Sequence, residues 1–402
     1  MNPNLTKLQP YPFEKLKKLI SQQKANDQLK AISLAIGEPQ HPTPAIITNE
    51  FTNSLEGLAK YPTTRGSGEL REACANWIQN RFQLSEKNLN STNNVLPVNG
   101  TREALFAIAQ CTIKPADKPV VLIPNPFYQI YEGAALLAGA EPVYYDCTVI
   151  DDDIPALWEI NDDIWKRCQL LYICTPGNPT GEVAPISTLQ KLIEYALKHQ
   201  FIIVSDECYS EIYPPSSTPP KGLLYCAQEM GNDTMQNCMA FYSLSKRSNA
   251  PGLRSGFVAG ASNLIESFFN YRTYHGCAMP LPTQAASIAA WSDESHVELN
   301  RQQYASKFDA VLEIVQNVLP CQRPDAGFYL WPKLPSTLQL DEIEFCELLY
   351  RKKNVLSLPG SYLARSVNGY NPGENRVRLA LVAELAECVE AAERIKELIQ
   401  EI

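Results

Sequence analysis

The sequence predicts an α/β protein whose larger domain contains a mostly parallel sheet of about seven strands. The first observation is a regular alternation of short β-rich runs with helical stretches between residues 95 and 259, which is typical of such sheets. The second is that several of these runs are continuously apolar, as expected of strands that are covered on both faces. The third is a change of pattern after about residue 280, which indicates a second, smaller α+β domain.

Seven short runs rich in apolar and β-branched residues are predicted to form the strands of this sheet. They are Asn94–Val98, Val120–Pro124, Pro142–Tyr145, Leu170–Thr175, Phe201–Ser205, Met239–Ser243 and Gly256–Ala259. Among the intervening helices, Ile186–His199 is the clearest, because its apolar side chains recur with the helical period of about 3.6 residues. Pro185 precedes it, and proline suits the first helical turn.

The C-terminal third predicts a different set of elements. In chain order they are one long helix, with or without a kink, at Gln284–Val318, a strand at Gly327–Trp331, a helix at Asp341–Lys352, a strand at Val377–Leu381 and an amphipathic helix from Leu385 to Ile399. We expect a large domain of residues 46–285 and a small domain that combines the N-terminal residues 1–45 with residues 286–402.

Composition excludes several classes of protein. The formal net charge is −9 and no long basic stretch occurs, so we expect no nucleic-acid partner. No apolar run is long enough to cross a bilayer, and no secretory signal is visible at the N-terminus. Twelve cysteines without a CxxC pair and four scattered histidines favour reduced thiols in a cytoplasm and no metal site.

The segment Ser243–Phe257 reads SLSKRSNAPGLRSGF and carries the most specific chemical signal. A lone lysine is usually an exposed surface residue, but Lys246 follows an apolar strand and is surrounded by small residues. A lysine amine of lowered pKa is the nucleophile that forms a Schiff base with a carbonyl cofactor. Ser243, Ser245 and Arg254 would suit a phosphate, because hydroxyls and a guanidinium can hydrogen-bond to its oxygens.

The segment CTPGNPTG, Cys174–Gly181, holds Asn178 between a glycine and a proline immediately after a predicted strand. Turns rich in proline, glycine and asparagine are common, so an ordinary turn is one interpretation. The other is a side-chain amide that is fixed in position to donate to a ligand oxygen.

The segment Phe201–Tyr213 reads FIIVSDECYSEIY and places Asp206 at the end of an apolar strand, with Tyr209 three residues later. Ligand sites of α/β proteins form at the carboxyl ends of parallel strands. A helix cap formed by Asp206 or Ser205 is the alternative. A buried carboxylate needs a partner, and a protonated pyridine nitrogen would be one.

The segment NGTREALF, Asn99–Phe106, places Gly100 between a predicted strand and a helix that starts near Thr101. The free amides and the positive dipole end of a helix bind phosphate at such a position. Many strand-to-helix turns look alike, so this segment alone carries little weight.

Together these four segments resemble the fold-type I pyridoxal-phosphate enzymes, specifically the class I and II aminotransferases. The resemblance starts at AIGEPQHPTP, Ala35–Pro44, continues through YPTTRGSGELREA, Tyr61–Ala73, and ends at RVRLAL, Arg376–Leu381. It therefore covers nearly the whole chain and implies the fold of that family, a large domain with a mostly parallel seven-stranded sheet and a smaller α+β domain.

The resemblance implies that the cofactor is pyridoxal 5′-phosphate, bound covalently to Lys246, and that Lys246 also moves a proton during catalysis. Asp206 would keep the pyridinium nitrogen charged, so that the ring can act as an electron sink. Asn178 and Tyr209 would donate to the phenolate oxygen, and Tyr128, in PNPFYQIY, would stack on the ring. The residues in the catalytic steps would then be Lys246, Asp206 and Tyr209.

The resemblance also implies the residues that bind the phosphate and the substrate. The phosphate would be held by Gly100, the amides of Thr101 and Arg102, Ser243, Ser245 and Arg254. Tyr61 would reach the phosphate of the neighbouring subunit, which makes a homodimer the catalytic unit. Gly37, Asn178 and Arg378 would bind the substrate α-carboxylate, and Arg376, two residues away on the same strand face, is the alternative to Arg378.

Within the family, Ser248–Phe257 and Leu358–Ile395 look like the bacterial N-succinyldiaminopimelate aminotransferases. That likeness implies amino transfer between glutamate or 2-oxoglutarate and N-succinyl-2-amino-6-oxopimelate, in lysine and cell-wall precursor synthesis. Both substrates carry a second acidic group, which needs a cationic or hydrogen-bonding partner. Arg272 and His275, in YRTYHG, are the candidates for that contact.

Competing interpretations remain open at this point. Another aminotransferase, of the aspartate, aromatic or acetylornithine type, or a pyridoxal-phosphate β-lyase would have the same cofactor residues. A non-catalytic regulator with an aminotransferase-like sensor domain is a remote alternative, because the resemblance begins by residue 35 and the chain is acidic.

Overall fold

The computed structural model describes residues 1–402. Its twelve β strands, in chain order, are β1 Ile32–Ser33, β2 Val95–Val98, β3 Val120–Asn125, β4 Glu141–Asp146, β5 Cys168–Cys174, β6 Ile202–Asp206, β7 Cys238–Ser243, β8 Gly256–Gly260, β9 Tyr329–Leu330, β10 Val355–Leu356, β11 Leu358–Pro359 and β12 Val377–Ala380. Its fourteen α helices are α1 Pro12–Ser21, α2 Ala45–Asn53, α3 Gly68–Phe82, α4 Thr101–Thr112, α5 Ile130–Leu137, α6 Asp162–Arg167, α7 Ile186–His199, α8 Leu223–Glu229, α9 Leu244–Arg247, α10 Ser262–His275, α11 Leu281–Ser292, α12 Ser295–Val315, α13 Glu342–Lys353 and α14 Leu385–Glu401.

The central sheet has seven strands in the order β2-β8-β7-β6-β5-β3-β4. Only β8 runs against the others, because it is antiparallel to both of its neighbours while the remaining pairs are parallel. The carboxyl ends of the six parallel strands therefore share one edge. The predicted mostly parallel, seven-stranded α/β sheet is confirmed.

Both faces of the sheet are covered, which explains the continuously apolar strands. On one face, the apolar side chains of the strands pack against α3 and α7, which contribute Trp77 and Leu192. On the other face, they pack against α4 and α5, which contribute Leu105 and Tyr131. Alternate residues of one strand supply the two cores, as the two-residue period of a strand requires.

The single helix predicted for Gln284–Val318 is wrong, because two helices, α11 and α12, occupy this stretch. Asp293 separates them: its carboxylate accepts hydrogen bonds from the Ser295 hydroxyl and the His296 amide. An aspartate next to the start of a helix stabilises that start, so the second helix begins anew after residue 293.

A second core lies in the C-terminal part of the chain, where α12, α13 and α14 pack on the antiparallel strands β9, β11 and β12. Ile32 and Leu34 of the N-terminal segment join this core, which supports a small domain built from both ends of the chain. Ala290 and Trp291 of α11 instead pack in the large-sheet core. We therefore move the proposed domain boundary from residue 285 to the break after α11.

No helix of the structure combines the length and the apolar composition that crossing a membrane requires.

Candidate active site

A cavity of about 570 Å³ opens at the carboxyl-end edge of the central sheet. It extends from the ends of β5, β6 and β7 to the N-terminal segment and to β12 of the C-terminal part. Twelve of the residues proposed from the sequence line it: Gly37, Thr101, Arg102, Tyr128, Asn178, Asp206, Tyr209, Ser243, Ser245, Lys246, Arg254 and Arg378. Their gathering follows from the topology, because ligand sites of open α/β sheets lie at this edge.

Lys246 lies on α9, the short helix that directly follows β7. The Ser243 side chain caps this helix by accepting a hydrogen bond from the Ser245 amide at 3.1 Å. The lysine Nζ donates to the carbonyl oxygen of Gly37 at 3.3 Å. Burial lowers the pKa of Lys246, although the nearby Cys208 and Asp206 oppose the shift. A lysine whose pKa is lowered is a better nucleophile and a better base near neutral pH.

Asp206 ends β6 and is buried. Its Oδ2 accepts a hydrogen bond from the Tyr131 hydroxyl at 2.6 Å, and its Oδ1 accepts one from the Cys208 amide at 3.3 Å. Burial raises the pKa of this carboxyl, and the hydrogen bonds from Cys208 and Tyr131 counteract part of the rise. No side-chain cation pairs with it, so a protonated ring nitrogen in the cavity would supply the missing partner.

A second group of hydrogen-bond donors lies in the cavity around the start of α4. Gly100 has φ +82°, and a Cβ at this position would come within 2.4 Å of Arg254 Nη2, so only glycine lets the guanidinium approach the start of α4. The free amides of α4, the Ser243 and Ser245 hydroxyls and the exposed Arg254 guanidinium form a cradle suited to a dianion. The cavity therefore fits a group that has a basic ring nitrogen at one end and a phosphate at the other.

Another part of the cavity wall carries a buried guanidinium. Arg378, on β12, is buried; it donates to Asn178 Oδ1 at 3.0 Å and to the Ala35 carbonyl at 2.7 Å. Gly37 comes shortly after Ala35 in the chain. A Cβ at Gly37 would lie 1.9 Å from the Tyr329 hydroxyl oxygen. Arg376 donates to the Trp331 carbonyl and does not line the cavity. The geometry thus favours Arg378 over Arg376 for a substrate carboxylate.

Four phenols complete the cavity walls, those of Tyr11, Tyr128, Tyr209 and Tyr329. The Tyr209 hydroxyl lies 3.1 Å from the Tyr329 hydroxyl, and burial raises the pKa of Tyr209, so the phenol stays protonated and able to donate. The Tyr128 hydroxyl accepts a hydrogen bond from Arg102 Nε at 2.6 Å, and Arg102 Nη2 donates to the Tyr11 hydroxyl at 3.1 Å.

Some proposed residues lie outside the cavity. Tyr61 is fully exposed on the single chain. The hypothesis that Arg272 contacts the distal end of the substrate is wrong, because Arg272 is fully buried and its guanidinium pairs with both carboxylate oxygens of Glu103. His275 is exposed and lies beside Cys277, away from the cavity.

Sequence reasoning missed several cavity residues. It also missed Tyr131, which does not line the cavity but donates a hydrogen bond to Asp206. Tyr329 lies in the predicted strand GFYLW, where alternation would leave its direction open. Tyr11 has no local signal, because only the packing of the N-terminal segment against the large domain brings it to the cavity.

Comparison with known proteins agrees with this geometry. The sequence profile described as "Aminotransferase class I and II" matches residues 30–395. The LL-diaminopimelate aminotransferase of Halothermothrix orenii is 31% identical over 97% of this chain and 96% of its own. Among solved structures, an aminotransferase from Neisseria meningitidis is 47% identical with a TM-score of 0.93, covering 99% of this chain and 100% of the other. The aminotransferase AspB from Helicobacter pylori is 34% identical with a TM-score of 0.88, covering 98% and 100%.

The fold and the cavity define a fold-type I pyridoxal-phosphate enzyme. More particularly, the chain belongs to the class I and II aminotransferases. It is a pyridoxal-phosphate-dependent transaminase that acts on amino and keto acids.

Proposed function

We propose that this aminotransferase moves an amino group between glutamate or 2-oxoglutarate and N-succinyl-2-amino-6-oxopimelate, with Lys246 as the cofactor-binding lysine. The observation that carries the diaminopimelate skeleton is the similarity, over nearly the full length of both chains, to relatives named LL-diaminopimelate aminotransferases. The likeness of Ser248–Phe257 and Leu358–Ile395 to the succinyl-specific group supports the succinylated form.

Lys246 would act as the base. Pyridoxal phosphate, when bound, supplies a carbonyl that reacts with amines and a ring that withdraws electrons from the substrate Cα. The Lys246 Nζ would take the proton from the substrate Cα and hold it for delivery to the carbon derived from the cofactor carbonyl, so that the amino group is left on the cofactor. Its lowered pKa leaves a larger share of the amine unprotonated at neutral pH, and the Gly37 carbonyl orients Nζ toward the substrate side of the cavity.

Asp206 would hold the ring nitrogen in its charged form. A cation against a buried carboxylate removes the desolvation cost that raises the pKa of Asp206. The hydroxyl of Tyr131 fixes the orientation of the carboxylate at 2.6 Å. Tyr209 and Asn178 would donate to the ring oxygen, and Tyr128 would cover one face of the ring.

Arg378 would bind the α-carboxylate through a bidentate contact. Two of its nitrogens already donate to Asn178 and Ala35, which fixes the plane of the guanidinium, while Nε is buried and lacks a partner. Gly37 leaves space beside Tyr329 where any side chain would collide.

Arg102 is the cation that remains for the distal acidic group. Four cationic side chains line the cavity, and Lys246, Arg254 and Arg378 already have roles. The phenols of Tyr128 and Tyr11 hold the Arg102 guanidinium without neutralising its charge. This assignment replaces Arg272 and His275. It also favours substrates with a second carboxylate over aromatic ones.

Free LL-diaminopimelate is the second candidate substrate, because the curated relatives at 31% identity carry that name. The two candidates differ only at the distal amine, which is either an ammonium or a succinyl amide. Glu38, at the cavity wall, would attract an ammonium, whereas Arg102 would attract the succinyl carboxylate.

We propose a homodimer as the working unit, in which Tyr61 reaches the phosphate that the neighbouring subunit binds. Its full exposure on the single chain is consistent with such a contact, since large exposed aromatic side chains are typical of interfaces.

Steady-state assays of purified enzyme with N-succinyl-LL-2,6-diaminopimelate and with LL-diaminopimelate as amino donors, each with 2-oxoglutarate, test the substrate. We expect kcat/KM to favour the succinylated donor. The Lys246→Ala variant tests the lysine, and it should have no measurable turnover with either donor. Normal transamination by this variant would refute the lysine assignment.

A further inference from the structure

Lys307 is a buried cation without a carboxylate partner. It lies on α12 with 2% of its surface exposed. Its Nζ donates to His41 Nε2 at 2.6 Å and to the Val382 carbonyl at 3.3 Å. Burial lowers the pKa of Lys307. Because an apolar side chain of similar size would cost less to bury, stability alone does not account for a lysine here.

His41 is the second member of the chain of contacts. Its Nε2 faces the lysine amine and accepts, so Nδ1 carries the proton and donates to Asn300 Oδ1 at 2.9 Å. Burial lowers the pKa of His41, and the positive charge of Lys307 acts in the same direction. The imidazole is therefore neutral, with its tautomer fixed by its two neighbours.

Asn300 connects this histidine to the active-site lysine. Its side-chain Nδ2 donates to the main-chain carbonyl of Lys246 at 3.3 Å. Its Oδ1 also accepts from Asn249 Nδ2 at 3.0 Å. Lys307, His41 and Asn300 are all buried, and none of them lines the cavity. They can therefore affect the site only through the residues that they contact.

The segments that meet here both belong to the active site. His41 follows Gly37, whose carbonyl accepts from Lys246 Nζ, and Thr43 donates to the Asn249 carbonyl at 2.7 Å. The N-terminal loop contacts Asn300 through His41, and the segment after β7 contacts it through Lys246 and Asn249. The bond from Thr43 to Asn249 also joins the two segments directly. Since Lys307 and Asn300 lie on α12, the helix sets the separation of the two segments.

We propose that Lys307, His41 and Asn300 form a positioning relay that fixes the Lys246 main chain relative to the Gly37 loop, an inference that rests on the proposed role of Lys246. Proton transfer is sensitive to placement, and a shift of about 1 Å can cost on the order of 100-fold in rate. The relay gives the lysine backbone a fixed reference on α12 while leaving its side chain free to move the proton.

The test is a single turnover of the holoenzyme with glutamate, followed by the visible absorbance of the cofactor, in Lys307→Met and His41→Phe variants. Each variant should slow the reaction by about 10-fold with an unchanged cofactor content. Lys307→Met should melt at the same temperature or higher, because it removes a buried charge. The double variant should be no slower than the slower single variant, since both changes interrupt the same series of contacts.

Tyr304→Phe is the matched control, because Tyr304 lies on the same helix, packs against the His41 ring and has a hydroxyl without a partner. It should react like the wild type. His41→Gln, which can donate to Asn300 and accept from Lys307, should recover part of the rate lost in His41→Phe. Wild-type rates in both Lys307→Met and His41→Phe, or an equal loss in Tyr304→Phe, would overturn the relay. An active Lys246→Ala variant would instead refute the proposed function.

Discussion

Asp206 illustrates how a single residue joins fold to chemistry. Its place at the end of β6 follows from an apolar strand that stops at the sheet edge, and its burial without a cationic side chain leaves a strong demand for a charged partner. Replacing it by asparagine keeps the size and removes the charge that would hold the ring nitrogen protonated.

We expect Asp206→Asn to slow removal of the Cα proton by about 100-fold or more, measured by single-turnover absorbance with glutamate. Tyr131→Phe is the matched control, because it removes one hydrogen bond to Asp206 and keeps the charge. The control should lose about 10-fold, the lower end of the value of one hydrogen bond to a charged group, because the carboxylate charge remains. Equal losses in the two variants would contradict the role of the charge.

Gly37 gives a steric prediction at the same scale. A Cβ at this position would lie 1.9 Å from the Tyr329 hydroxyl oxygen, whereas a Cβ at Gly68 would meet nothing within 4 Å. Gly37→Ala should displace Tyr329 or the loop and raise KM for glutamate by about 10-fold or more, measured by steady-state kinetics. Gly68→Ala should leave KM unchanged. A normal KM in Gly37→Ala would contradict this prediction, because the loop would then accommodate the methyl group without weakening the binding of glutamate.

At the scale of elements, an ion pair fastens the C-terminal part to the large domain. Arg365 donates through two nitrogens to both carboxylate oxygens of Glu132 on α5, at 2.8 and 2.7 Å. The backbone of Arg365 also exchanges two hydrogen bonds with the Asn125 side chain at the end of β3. The segment before β12 is thus held next to the cavity.

Glu132→Gln should lower the free energy of unfolding by about 3 kcal/mol, because it leaves a largely buried guanidinium without its counter-charge. The exposed pair Lys166–Asp162 is the control, and Lys166→Ala should leave the free energy of unfolding nearly unchanged, because surface ion pairs contribute little. Urea unfolding of the holoenzyme measures both. Similar small losses in the two variants would mean that the Glu132 contact is solvated.

The elements also show where sequence patterns suffice. The seven strands are read correctly because an apolar strand between two helical layers has a strong local signal. The break between α11 and α12 is missed, because both helices are apolar on one side and only the capping role of Asp293 divides them. The distal-site hypothesis for Arg272 fails for a different reason: sequence does not reveal that Glu103 occupies its guanidinium.

For the whole molecule, the dimer proposal makes a specific prediction. Tyr61 is fully exposed and would complete the site of the other subunit, so an inactive Lys246→Ala subunit can still donate its tyrosine. Mixing it with Tyr61→Ala subunits should produce hybrid dimers with one complete site and restore activity toward that of one site per dimer. Absence of any recovery in verified hybrids would contradict the shared site.

Of the twelve predicted residues that line the cavity, those at the ends of the central strands follow from motif position, since these strand ends share an edge. Gly37, Tyr128 and Arg378 were predicted only through the resemblance to the aminotransferases. The N-terminal contribution of Tyr11 and the relay through Lys307 depend on contacts between segments distant in sequence. No local period encodes such contacts. Substrate choice is likewise not predicted by local sequence patterns, because it depends on a few side chains at the cavity wall.

The most direct test of the central claim is the ratio of kcat/KM for N-succinyl-LL-2,6-diaminopimelate to that for LL-diaminopimelate, with 2-oxoglutarate as acceptor. A site that pairs Arg102 with the succinyl carboxylate predicts a ratio of about 100 or more, as expected when a site built for a polar group meets a substrate that lacks it. A ratio below one would contradict the claim and assign the unmodified diamine as the substrate.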